Sequence, residues 1–330
     1  MEKIIYFPGC IAESCSRHLD KVTRDVMKKL GIEYEFLPEM NCCGSVHLKE
    51  ENAFLNLVAN GRNFAIAEKL GLNIVTTCNT CLNIMTEANK KLVEDPFLRQ
   101  KVNNLLKENN LHYSGGLRIK HLLWYLLEDY GIDNLQNHAQ IELSALKIAP
   151  FYGCHILRPS KLLSLDHSFE KNDLNALIMG LGANLADHTM KGSCCGFHIH
   201  KIGEKQVCAM AESIHSSSFS AQANLIVTPC TECHYVLDLY ANKAKNKVPV
   251  LHFTQLLGLA LGMNEKELEL GKNFLDAKKI LQLVKGKNAR KIDKQAKDEK
   301  APAQVRSPGK NEEIDEGFDL DTARKKIMKR

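Results

Sequence analysis

The same spacing of thiols occurs twice in this chain, and it constrains the fold more than any other feature. Cys10, Cys42-Cys43, Cys78 and Cys81 form a C-x31-CC-x34-C-x2-C pattern, and Cys154, Cys194-Cys195, Cys230 and Cys233 form C-x39-CC-x34-C-x2-C. Ten of the 12 cysteines fall into these two sets, and each CC is followed by glycine, Gly44 or Gly196. An identical CC-to-CxxC interval in both halves means two related lobes, each built around one thiol site. The first residues contain no long apolar run of a secretory signal. No stretch approaches the roughly 18–20 apolar residues of a membrane span. A cytoplasmic chain keeps its thiols reduced, so the sets read as metal or redox ligands rather than disulfides.

The repeat extends beyond the cysteines. An apolar strand, Ile4–Phe7, leads to Cys10, and Lys147–Tyr152 leads to Cys154. Helical segments Leu19–Leu30 and Leu174–Leu181 follow, each closing on Leu-Gly, with glycine suited to a helix C-cap. A short strand then reaches each CCG. Long helices are expected over Ala53–Leu70 and Glu204–Ser220, and strands Asn73–Thr76 and Leu225–Thr228 deliver Cys78 and Cys230. Ile119-Lys120-His121 and Val250-Leu251-His252 precede further helical runs. His121 and His252 therefore occupy the same place in the two lobes, and satisfaction by a neighbour is the preferred role for both. Alternating strands and helices argue for two pseudo-symmetric, Rossmann-like α/β lobes with parallel sheets. The cysteines then lie just beyond the carboxyl ends of strands, where such sheets place their sites. The expected divisions are residues 1–138, 139–285 and a tail over 286–330.

That tail holds 13 Lys and Arg against nine Asp and Glu, most of the chain's net charge of +5. Its composition predicts a disordered or marginally helical segment, with Leu320–Arg330 able to form a basic amphipathic helix. The remainder is nearly neutral, which argues against nucleic acid as a partner.

Four thiolates satisfy zinc or an ordinary [4Fe–4S] cubane, so five per set is one too many for either. The fifth is spare or bridging, and a bridging thiolate suits a more open iron–sulfur framework. Iron–sulfur is the preferred reading for both sets, with zinc as the alternative, stronger at the first. Cys15 and Cys208 have no counterpart in the repeat and read as bystanders. The lobes also differ. His155 follows Cys154, and His198 and His200 follow the second CCG, against His47 alone after the first. Groups able to carry protons at neutral pH place substrate chemistry at the second lobe, with His155 as the proton donor. The alternative role for His155 is a hydrogen bond to a cluster sulfur.

The contexts Phe7-Pro8-Gly9-Cys10, Tyr152-Gly153-Cys154-His155, Pro229-Cys230-Thr231-Glu232-Cys233 and Thr254–Gly262 carry a resemblance. Over about residues 1–265 the chain resembles the duplicated cysteine-rich CCG proteins: the B subunit of heterodisulfide reductase and the E subunit of atypical succinate:quinone and methylmenaquinol:fumarate reductases. The resemblance implies a noncubane [4Fe–4S] cluster on Cys10, Cys42, Cys43, Cys78 and Cys81, and another on Cys154, Cys194, Cys195, Cys230 and Cys233. In some relatives the first site has been assigned to zinc. Electrons would come from a partner bearing cubane iron–sulfur clusters, with a flavoprotein subunit as a further partner, because the chain has no ferredoxin-type C-x2-C-x2-C run. The reading is an oxidoreductase subunit of heterodisulfide reductase type, cleaving a disulfide at the second lobe. The alternatives are an E subunit exchanging electrons with a quinone at the inner face of the membrane, and a zinc-bound structural or assembly module.

Overall fold

A computed structural model of the chain describes residues 2–163 and 173–286. Apart from Gly286, the expected charged tail lies outside the described residues, as does the amphipathic helix expected at Leu320–Arg330.

The first lobe runs β1 (Ile4–Phe7), α1 (Cys10–Glu13), α2 (Arg17–Lys29), β2 (Tyr34–Glu35), α3 (Ser45–Glu51), α4 (Ala53–Leu70), β3 (Asn73–Thr76), α5 (Asn79–Glu94), α6 (Pro96–Leu106), β4 (Ile119–His121) and α7 (Leu122–Trp124). A π-helical turn, Tyr125–Gly131, and α8 (Ile132–His138) complete it. The second lobe runs β5 (Lys147–Pro150), α9 (Asp173–Gly180), β6 (Asn184–Leu185), a 3-10 turn (Phe197–Ile199), α10 (Glu204–Ser220), β7 (Leu225–Thr228), α11 (Thr231–Ala241), β8 (Val250–His252), α12 (Phe253–Ala260) and α13 (Lys278–Gly286). The sheets have matching order, β2-β1-β3-β4 and β6-β5-β7-β8, and every pairing is parallel. The duplicated cysteine pattern is thus a duplicated α/β lobe.

The central strands are apolar on both faces because helices cover both. In β1, Ile4 and Tyr6 join one buried layer while Ile5 and Phe7 join the other. Ile148 and Ala149 of β5 divide the same way. Each layer draws on both lobes, so the lobes share their cores and form one unit. In one layer α2 packs on α12, where the buried hydroxyls of Thr23 and Thr254 lie 3.1 Å apart. The other layer contains Cys43, Cys78, Cys81, Cys195, Cys230 and Cys233.

His121 and His252 are fully buried at the ends of β4 and β8. His121 Nδ1 accepts the Leu123 N–H at 3.1 Å and caps α7. His252 contacts Thr254 Oγ1 and the Pro229 carbonyl, and its own N–H donates to Gln255 Oε1. Both histidines close helix starts, and they meet across the lobes, with the His121 ring 6.0 Å from that of Phe253.

Candidate metal and redox centre

Each lobe brings its five thiols together through the ends of its strands and the turns that follow. Cys10 and Cys154 lie three or four residues past β1 and β5. Cys78 and Cys230 are the N-cap residues of α5 and α11. The CxxC turn therefore coincides with a helix start, where unpaired backbone N–H groups favour negative charge. In the first lobe Cys78 Sγ accepts the Cys81 N–H at 3.4 Å, and the Cys43 and Cys81 sulfurs are 3.4 Å apart.

The CCG turns resolve how two adjacent cysteines serve one site. Gly44 and Gly196 are left-handed, and each returns its own N–H to the first cysteine of the pair, Cys42 at 3.4 Å and Cys194 at 3.3 Å. The Cys10 and Cys43 thiols and the Gly44 N–H hold the Cys42 thiol far below its usual range. The Cys154 thiol and the Gly196 N–H push Cys194 down to about 6 against the cost of burial. The leading cysteine of each pair is thus disposed to be a thiolate, the form that binds metal.

The backbone approaches these sulfurs closely at Gly9 and Gly153. Both have positive φ, +82° and +73°. A Cβ on Gly9 would lie 3.0 Å from Cys81 Sγ, and one on Gly153 would lie 2.8 Å from Cys233 Sγ. The contact at Gly153 leaves no room for a side chain, the one at Gly9 is tight, and both φ values disfavour any other residue, so glycine suits both close approaches to the sulfur cage. Five converging thiols, backbone N–H groups aimed at sulfur and side-chain-free approaches fit an iron–sulfur group in each lobe.

The two cages face one another. Cys78, Cys230 and the Glu232 carboxylate lie within 4.8 Å of each other, all buried. Burial opposes ionisation of Cys230, but the Cys233 and Cys78 thiols and the N–H groups of Cys233 and Asn79 outweigh it and bring Cys230 well below its usual range. Its neighbour Cys78 is driven up, chiefly by its bond to Cys230.

Around this meeting point sits a polar cluster drawn from both lobes. Thr80 Oγ1 lies 2.5 Å from Glu232 Oε2, 3.0 Å from His155 Nδ1 and 3.4 Å from His198 Nε2. Ser45 Oγ lies 3.4 Å from His198 Nδ1, and the His47 and His155 rings stand 5.7 Å and 5.2 Å from that of His198. Burial, reinforced by the charge of Cys230, pushes the Glu232 carboxyl up to about 8. Burial pushes His198 down to about 4 and lowers His155. The 3.7 Å approach of His198 to Glu232 is therefore a contact of neutral groups rather than an ion pair.

The structure thus brings all ten patterned cysteines and His155 into one region, with the histidines turned toward the first lobe. His200 stacks on Phe197 instead. Cys15 is exposed and Cys208 is half-buried on α10. Sequence reasoning missed Thr80 and Glu232, the second variable residues of the two CxxC motifs, and Asn79 and Asn83 on α5. Only the docking of the lobes makes them neighbours.

A family model described as CCG, cysteine-rich domain, matches residues 4–86 and 148–238. The chain belongs to the CCG family. Its two CCG domains carry the whole of both cages. The chain is 35% identical over 285 residues to the 8-methylmenaquinol:fumarate reductase membrane anchor subunit of Wolinella succinogenes, covering 84% of this chain and 99% of that one. It is 30% identical over 284 residues to the B subunit of the ferredoxin/F(420)H(2)-dependent CoB-CoM heterodisulfide reductase of Methanosarcina acetivorans, covering 83% and 94%. A crystal structure of a hypothetical protein from Helicobacter pylori shares the fold, with a TM-score of 0.66 at 15% identity, covering 82% of this chain and 51% of that one. Among the described residues no helix is long and apolar enough to cross a membrane.

Proposed function

We propose that this chain is an iron–sulfur redox subunit of a multi-subunit reductase of heterodisulfide reductase type, with two noncubane [4Fe–4S] clusters facing one substrate. Cys10, Cys42, Cys43, Cys78 and Cys81 would hold the first, and Cys154, Cys194, Cys195, Cys230 and Cys233 the second. The observation that carries the reading is the meeting of Cys78 with Cys230 between the lobes. Each cluster, when bound, supplies electrons singly. Two such centres side by side suit a substrate that takes up two electrons, as a disulfide does in becoming two thiols with two protons. His155 would deliver one of those protons. Its Nδ1 is engaged by Thr80, which leaves Nε2 as the ring atom free to carry it. The site opens on a residue cluster drawn from both lobes, so the chemistry assigned to the second lobe also depends on Thr80 and Ser45 of the first.

A second reading has the same two centres exchanging electrons with a quinone at the membrane surface. The 35% identity to a methylmenaquinol:fumarate reductase subunit favours it. Zinc at the first site remains compatible with four of its five thiols. The test is purification of the native complex without oxygen. Cubane iron–sulfur and flavin-containing partners with disulfide turnover support the first reading. A flavoprotein succinate dehydrogenase or fumarate reductase subunit with quinone turnover replaces it by the second.

A further inference from the structure

The loop that carries Cys154 and His155 belongs to the second lobe by sequence, yet the first lobe supplies much of what holds it. Asn79 Nδ2 donates to the Tyr152 carbonyl at 2.7 Å. Asn83 Nδ2 donates to two carbonyls, of His155 at 3.1 Å and of Arg158 at 2.7 Å. Thr80 Oγ1 meets the His155 ring at Nδ1. All three side chains are buried and lie on the first turns of α5, the helix whose start is the first lobe's own CxxC motif. Gly153 fits into the same contact, since a Cβ there would also meet Asn79 Nδ2 at 3.5 Å. Residues 151–158 are neither helix nor strand, so their carbonyls lack ladder partners. Left unpaired where they are buried, they would cost the fold, and the two asparagines remove that cost.

Among the described residues no side chain of α11 makes a matching hydrogen bond to the first-lobe loop. The positions on α11 equivalent to Asn79, Thr80 and Asn83 are Thr231, Glu232 and Tyr235. The buried Thr231 hydroxyl has no hydrogen-bond partner among the described residues. The first-lobe loop is tied instead within itself, by Ser14 Oγ to the Cys10 carbonyl at 2.6 Å and by Ser16 N–H to the Ile11 carbonyl at 2.8 Å. The pseudo-symmetry of the fold is broken at the side chains that bridge the lobes.

We propose that the first lobe's CxxC helix positions the second lobe's ligand loop, with Asn83 and Asn79 as positioning residues for Cys154 and His155. The second site is then composite, complete only when the first lobe is folded against it, whereas the first-lobe loop is held without a matching bracket. That the loop faces substrate rests on the function proposed above; that it is held across the lobes does not.

The test uses the full chain, purified without oxygen, with Asn83→Ala and Asn83→Asp. Aspartate keeps the size of asparagine but cannot donate to a carbonyl. The first readout is the rate of trypsin cleavage after Lys161, an exposed residue of the same loop. Cleavage through local opening follows the open population, so losing these bonds should speed it about tenfold or more in both variants. The second readout is the electron paramagnetic resonance signal that Cys154→Ser abolishes. It should shift or broaden in both variants, while the signal that Cys10→Ser abolishes stays unchanged. If Asn83→Asp behaves like the parent in both measurements, the side chain only fills space and the proposal is overturned. Should Asn83→Ala yield no folded protein, Asn79→Ala decides by the same cleavage rate: faster supports the bracket, unchanged overturns it. A chain that holds zinc or no metal removes the resonance readout and the iron–sulfur reading with it, but the cleavage rate still decides this proposal.

Discussion

Gly153→Ala is the substitution that most directly probes the fit between fold and sulfur cage. The residue has φ of +73°, where an L side chain costs about 1–2 kcal/mol. The new Cβ would then lie 2.8 Å from Cys233 Sγ. That sulfur sits on the buried first turn of α11 and has no exposed side to move toward. Relieving the overlap costs about a further 1–3 kcal/mol. The sum is about 2–5 kcal/mol, which should lower Tm by roughly 3–8 °C in a chain of this size. The displaced sulfur should also cost the second site its iron, so iron per chain falls by about half if each lobe holds four. Gly71→Ala is the control. Its φ is +67°, and nothing lies within 4 Å of the added Cβ. It should show only the backbone cost and keep its iron. The assays are thermal unfolding and iron per chain, both without oxygen. If Gly153→Ala matches Gly71→Ala in both, the close approach of backbone to sulfur has no structural role and the reasoning fails.

Two further outcomes follow from the described side chains. His155→Ala should lower substrate turnover by the native complex roughly 100-fold, the usual range for a lost general acid, while iron content is unchanged; turnover equal to that of the parent would remove His155 as the proton donor. Burial pushes Asp238 up from 3.8 to about 6, although its carboxylate accepts the Phe274 and Leu275 N–H groups at 2.7 and 3.0 Å. The folded chain therefore binds more protons than the unfolded one between about pH 4 and 6, and stability falls as pH rises through that window by about 3 kcal/mol. Asp238→Asn should flatten this slope in unfolding titrations from pH 4 to 7, and an unchanged slope would assign it to other groups.

Much of the fold was legible because its signals are local and occur twice. Strands Asn73–Thr76 and Leu225–Thr228 and helices Ala53–Leu70 and Glu204–Ser220 have the expected bounds. Apolar runs, glycine stops and the paired cysteine spacing all agree there. The strand read as Lys147–Tyr152 ends at Pro150: the Phe151 N–H makes a last bond to the Val227 carbonyl at 2.8 Å, and Tyr152 turns its N–H to the Lys191 carbonyl to begin the ligand loop. The run after His121 starts as α-helix but widens into a π-helical turn over Tyr125–Gly131. Periodicity of apolar residues does not distinguish these windings over so short a segment. What no single lobe encodes is how the two dock. Thr80 and Glu232 are variable residues of two distant motifs, separated by 152 positions, and nothing local says that they touch. The one available hint was the departure from the repeat, Asn79 against Thr231 and Asn83 against Tyr235.

The central claim is that two five-thiol cages hold two iron–sulfur clusters side by side. Metal analysis of the chain purified without oxygen tests it most directly. The account predicts about eight irons per chain, four for each cage, and loss of about half when Cys154 or Cys194 is replaced by serine. Stoichiometric zinc with little iron would contradict it and leave a structural module in place of a redox subunit.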